Sequence, residues 1–216
     1  MFDAGGYAEL GARFGVQLDP ARYEQARLAA LHVWRAETLE HRSAGHRRFA
    51  VEIVRGMGAH AAAAEQIGIA AEEAWGDPAN FELFPDVLPL LEVLRSSACT
   101  VGLLSNTDRE LAPFAAELGI SVDFALASHA HGRRKPCTTI FAAALALGGA
   151  TPEQSVMVGD SMEDDIAGAV GLGLRAVLVD RHDRYPEHAG ERVRGLDELP
   201  ALLGLTGSAA IPPAGA

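Results

Sequence analysis

Residues 155–169 read Ser-Val-Met-Val-Gly-Asp-Ser-Met-Glu-Asp-Asp-Ile-Ala-Gly-Ala. Ser155 to Val158 is a short apolar run of the length and composition of a buried strand. Gly159, Asp160 and Ser161 follow it, then Glu163, Asp164 and Asp165, and a helical pattern runs from Asp165 to Gly171. Working outward, Thr100–Leu104 predicts another strand, followed by an amphipathic helix over Asp108–Leu118 that Gly119 closes. Val122–Leu126 predicts a strand, Thr138–Leu147 a helix ending at Gly148-Gly149, and Arg175–Val179 a further strand. Alternating units of this kind make an α/β fold, a parallel sheet with helices on both faces and right-handed connections.

In an open parallel sheet, ligands bind beyond the carboxyl ends of the strands. The residues that follow each strand are therefore the candidates for chemistry. They are Ser105, Asn106 and Thr107 after the first, Arg133, Arg134 and Lys135 in the loop after the second, and Asp160 with Glu163, Asp164 and Asp165 after the third. A hydroxyl, a cation and carboxylates on one edge suit a phosphate held beside a divalent metal. Mg²⁺ takes oxygen ligands and keeps several waters, so one or two carboxylates and a substrate phosphate suffice. Asp160 fits that role, with Asp164 or Asp165 as the second acidic partner. Lys135 can neutralise phosphoryl oxygens as a point charge. Ser105, with backbone N–H groups at the following helix start, can donate to them.

Residues 7–80 have a different texture, with helical periodicity and few β-branched runs. Asp19-Pro20 reads as an N-cap and first-turn proline. Tyr23, Ala26, Ala30, Leu31 and Trp34 then recur at three-and-four spacing, and Phe49, Ile53 and Met57 repeat it. The alanine-rich 59–64 and the stretch Ile69 to Trp75 suggest two further helices, giving a small helical bundle. The small, proline-bearing 206–216 reads as a flexible tail.

Composition narrows the function. Of 216 residues, 49% are hydrophobic and the net charge is -11. So apolar a chain is not mainly disordered, and so acidic a one is not a general binder of nucleic acid or membrane surfaces. Two cysteines make no disulfide framework. No apolar run reaches the roughly 18–20 residues of a membrane span. A cytoplasmic protein, monomeric or homodimeric, with a small-molecule partner is the expectation.

The motifs SNT at 105–107, RKP at 134–136 and GDSMEDDIAGA at 159–169 together resemble those of the haloacid dehalogenase (HAD) superfamily of hydrolases. LFPDVLPLLEVLR at 83–95 is similar to the segment by which that family returns from its cap to its core. The resemblance implies a Rossmann-like core of residues 1–6 and 81–205 with an inserted helical cap of residues 7–80. It further implies a phosphatase of a small phosphorylated metabolite, working through an aspartyl-phosphate with Mg²⁺. Asp3, Ser105 and Lys135 would be catalytic, Ser105, Asn106 and Lys135 would bind phosphate, and Asp3, Asp160 and Asp165 would hold the metal.

The family's first motif is an apolar strand ending in Asp-x-Asp, whereas this chain opens Met1-Phe2-Asp3-Ala4-Gly5-Gly6-Tyr7. Two residues before Asp3 are too few for a strand, and Gly5 stands where the second aspartate, a general acid/base, would be. Either Asp3 is the nucleophile of a shortened site, or the nucleophile lies upstream of Met1. The corresponding alternatives for function are a non-catalytic relative, and a 2-haloacid dehalogenase, whose chemistry leaves the acidic cluster without a task.

Overall fold

The computed structural model describes residues 3–36 and 45–205. The chain divides into two compact units, with the boundary between Phe81 and Glu82. The proposed tail, 206–216, lies outside the described residues.

The first unit is helical: α1 (Ala4–Arg13), α2 (Tyr23–Ala36), α3 (Gly45–Gly56) and α4 (Ala61–Gly76). The spacing read from the sequence is the spacing of burial. Tyr23, Ala26 and Ala30 of α2 pack in one cluster with Phe49 and Ile53 of α3, with Met57 just beyond it, and with Tyr7 and Leu10 of α1. Asp19 caps a single 3₁₀ turn, Pro20–Arg22, through its bond from the Ala21 N–H, and that turn leads into α2. Residues 59–64 and 69–75 do not make two helices. Ala63, Ala64, Ile67, Ala71 and Trp75 continue one buried face through a single α4, and Ile69 points outward, 44% exposed. Trp34 lies in α2, but its side chain is outside the described ones.

The second unit contains α5 (Val87–Ser96), β1 (Gly102–Ser105), α6 (Leu111–Glu117), β2 (Phe124–Ala127), α7 (Ser128–His131), α8 (Thr138–Gly148), β3 (Val156–Gly159), α9 (Gly168–Gly171), β4 (Arg175–Val179), β5 (Glu191–Val193) and α10 (Leu199–Leu202). All strand pairs are parallel, β1 with β2 in one sheet and β3–β4–β5 in a second. The strands are apolar on both sides because both sides are covered. Val156 and Val158 of β3 and Val177 and Val179 of β4 pack with Leu90 of α5 and Leu199 of α10. The alternate residues, Met157 and Ala176, pack with Ile140 and Phe141 of α8 and Ala169 of α9. That is the two-residue period of a pleated strand.

The expected strands all form, some shifted by a residue or two. β1 starts at Gly102 rather than Thr100, because the Val101 N–H is taken by the Asp123 carboxylate at 2.7 Å. α6 starts at Leu111, not Asp108. A start at Asp108 would put Pro113 beyond the first turn, where its missing N–H and its ring break the helix. β5 has three residues, too few to show a pattern in sequence.

A buried ion pair stitches the unit together. Asp86, at the start of α5, is fully buried and accepts from Arg181 Nη1 (2.8 Å), Arg181 Nη2 (2.9 Å) and the Leu196 N–H (2.8 Å). The Arg181 guanidinium lies 4.0 Å from the centre of the Phe84 ring.

Candidate active site

The carboxyl ends of β1 and β3 belong to different sheets, and Lys135 joins them. Its Nζ donates to the Leu104 carbonyl of β1 at 2.9 Å and to Asp165 Oδ1 at 2.6 Å. The side chains of Lys135 and Asp165 are only 10% and 5% exposed. The other Asp165 oxygen, Oδ2, accepts the Ser161 N–H at 3.0 Å. Both carboxylate oxygens are therefore engaged within the protein. A Cβ on Gly159 would overlap this carboxylate, so the chain at the end of β3 can approach Asp165 only because residue 159 is glycine.

The turn between β3 and α9 orders the remaining acids. Residues Met162–Ala167 form a wide π-helical turn, and Ser161 caps it by accepting the Asp164 N–H at 3.0 Å. With Ser161 as the cap, Asp160 is left with an exposed carboxylate at the strand end. A bland role for Asp160 as helix cap is thereby filled by its neighbour. Asp164 is half-buried. Burial pushes its carboxyl above the usual range. The charges of Arg134 and Lys135 oppose this, while those of Asp165 and Glu163 add to it. Arg134, one of the strand-end candidates, thus acts electrostatically on Asp164.

The loop after β1 is held from below. Ser128 Oγ and the His129 N–H donate to the Thr107 carbonyl at 3.1 and 3.2 Å, and Thr107 Oγ1 accepts the Arg109 N–H at 3.3 Å. Thr107 and Ser128 are buried polar residues whose bracing role had no sequence signal, because it depends on a contact 21 residues apart. Ser105 ends β1 opposite Ala127 in the parallel ladder and is half-buried. Asn106 does not stand free for a phosphate. Its side-chain amide is bonded to both backbone groups of Lys135.

Asp3 differs from the rest. It stands in the helical unit, not in the α/β unit where residues 1–6 were expected, and it opens a helix. Its extended backbone makes it the N-cap of α1, and its Oδ1 accepts the Gly6 N–H at 2.8 Å. The helix starts at Ala4 because that cap satisfies a first-turn donor. The structure brings Ser105, Asn106, Lys135, Asp160 and Asp165 together in the α/β unit.

As a donor set for a metal, Asp160 and Asp164 offer hard carboxylate oxygens, while those of Asp165 are already bonded. Among the described residues, no three His, Cys, Asp or Glu side chains gather closely enough to hold an ion by themselves. Mg²⁺ makes do with one or two carboxylates, waters and a substrate oxygen, so the carboxylates of Asp160 and Asp164 suit it. Both cysteines are free thiols. No helix among the described residues is long and apolar enough to cross a membrane.

Comparison with known proteins gives the family. Residues 6–173 match the family model of haloacid dehalogenase-like hydrolases. A ribulose-1,5-bisphosphate 5-phosphatase of Halopiger xanaduensis is 37% identical over 105 residues, covering 47% of this chain and 44% of that protein. A phosphoserine phosphatase of Thermus thermophilus is 31% identical over 164 residues, 74% of this chain and 62% of its own. The chain thus spans about half the length of curated relatives such as these. A putative HAD-hydrolase of Bacillus subtilis, solved with magnesium, shares the fold with a TM-score of 0.71 at 18% identity, over 94% of this chain and 93% of its own. With the strand-end serine, the buried lysine–aspartate pair and the acidic turn in the family's order, and with the family model matched over most of its length, this chain belongs to the haloacid dehalogenase-like hydrolases.

Proposed function

We propose that this protein is a Mg²⁺-dependent phosphatase of a small phosphorylated metabolite. The observation that carries the reading is the seat of Lys135. A nearly buried ammonium spans the ends of β1 and β3, with the Ser105 hydroxyl at one strand end and the Asp160 carboxylate at the other. The resemblance to a ribulose-1,5-bisphosphate 5-phosphatase and a phosphoserine phosphatase supports it.

In this reading Ser105 donates to an equatorial phosphoryl oxygen, and Lys135 offsets the charge that grows on the others as the bond to the leaving oxygen lengthens. Asp165 holds the Lys135 ammonium in place. An aspartate carboxylate attacks phosphorus in line, the alcohol leaves, and water hydrolyses the aspartyl phosphate. Asp3 is the candidate for that attack, and with Gly5 in place of an acid the leaving oxygen is protonated without help, a loss of roughly 10²–10⁴-fold. Mg²⁺ held by Asp160, with Asp164 or Asp165 beside it, would supply further charge stabilisation.

The test is hydrolysis of a generic aryl phosphate with Mg²⁺ and with EDTA, by the native chain and by Asp160→Ala. Metal-dependent turnover lost in the variant supports the reading, and equal turnover by both proteins refutes it. Halide release from a 2-haloacid that survives EDTA would mark a dehalogenase instead. The engagement of Asp3 as a helix cap favours one second reading, a phosphate-binding protein without turnover. Its signature is a melting temperature raised by Mg²⁺ and phosphate together, with no hydrolysis.

A further inference from the structure

A parallel ladder satisfies a residue through two backbone neighbours, and at the end of β1 a side chain does the same for Lys135. Asn106 Oδ1 accepts the Lys135 N–H at 2.8 Å, and Asn106 Nδ2 donates to the Lys135 carbonyl at 3.0 Å. The amide orientation is set by this pairing, since the flipped amide would face N–H with N–H and oxygen with oxygen. One side chain thus grips both polar groups of the lysine backbone, across 29 residues of sequence. From the backbone so held, the Lys135 Nζ reaches the Leu104 carbonyl and Asp165.

We propose that Asn106 is a positioning residue, which works by fixing the backbone of Lys135 so that its ammonium stays between the two sheet ends. This deepens the phosphatase reading and rests on it for its functional meaning, but the geometry itself concerns only the lysine. Lys135 is the only lysine in the sequence. Apart from the α-amino group, every amine-directed probe therefore reports on this one side chain.

The experiment uses the full chain and two variants, Asn106→Ala, which removes both bonds, and Asn106→Asp, which keeps only the acceptor. Arg133→Ala, an exposed neighbour in the same loop, serves as control. Two readouts need no activity: the rate of Lys135 acylation by an amine-reactive ester, followed by mass spectrometry, and the single lysine ¹⁵Nζ resonance. Two lost hydrogen bonds predict acylation faster by on the order of tenfold in Asn106→Ala, a smaller gain in Asn106→Asp, and none in Arg133→Ala, with the ¹⁵Nζ signal shifted in the same order. If Asn106→Ala does not fold, Asn106→Asp decides alone. Unchanged acylation and an unchanged resonance in a folded variant overturn the inference, whatever happens to turnover. If acylation rises but the native chain hydrolyses no phosphate ester, the positioning stands and the phosphatase reading falls.

Discussion

Replacing Asp86 by alanine should cost the α/β unit about 3 kcal/mol. The carboxylate is fully buried, and it takes both guanidinium branches of Arg181 and the Leu196 N–H. Removing one partner of a buried pair typically costs about 3–5 kcal/mol, because the other charge is left without compensation. The lower end applies here, since the Arg181 side chain keeps 14% exposure and rests on the Phe84 ring. For a chain of this size that lowers Tm by about 6–12 °C. Both tryptophans, Trp34 and Trp75, lie in the helical unit, so fluorescence would miss the change. Far-UV circular dichroism in urea, with amide exchange at Leu196, would see it. The double variant Asp86→Ala/Arg181→Met should recover at least half of the loss, because no charge is then stranded. The pH dependence has a definite sign. Burial raises the Asp86 carboxyl, but the Arg181 hydrogen bonds, the Leu196 N–H and the Arg181 charge outweigh it, and its pKa lies below the ordinary value. Its stabilisation over Asp86→Asn is therefore fully present above the unfolded-state pKa, about 3.9, and is lost as pH falls through the lower folded value. A loss under about 1 kcal/mol, or strictly additive single and double variants, would refute the reasoning.

Three further outcomes are expected. Gly159→Ala forces its Cβ into the Asp165 carboxyl, so Lys135 acylation should rise and phosphate affinity should fall about tenfold or more, by calorimetry with inorganic phosphate and Mg²⁺; native affinity would sink the close-approach argument. In Gly168→Ala a Cβ would lie 2.6 Å from the Phe141 ring and 2.9 Å from Pro136 Cα, and overpacking should cost about 1–3 kcal/mol in a urea melt. Asp3→Ala removes the cap of α1 and should cost about 1 kcal/mol, whereas Asp3→Asn, which can still accept the Gly6 N–H, should keep that stability and lose turnover if Asp3 is the nucleophile.

The α/β unit was largely legible in the sequence because its signals are local. Val156, Val158 and Met157 are apolar in succession since a parallel strand is covered on both faces, and Ser105, Lys135 and Asp160 stand where chain connectivity places strand ends. The helical faces followed from three-and-four spacing for the same reason. What neighbours along the chain could not say is which group each polar side chain would meet. Folding brings Lys135 onto Asp165 from 30 residues away, a contact that no neighbouring residue announces. Folding likewise brings the Lys135 backbone onto the Asn106 amide, and Arg181, 95 residues on, onto Asp86. Asp3, read as a possible nucleophile, is a helix cap because its carboxylate satisfies an otherwise unpaired first-turn N–H. Periodicity is written into adjacent residues, so the sequence by itself determined most of the longer elements and their buried faces. The partners of buried charges are chosen by desolvation, which penalises every unpaired ion once the core closes, and only the tertiary structure decides which ions are then within reach.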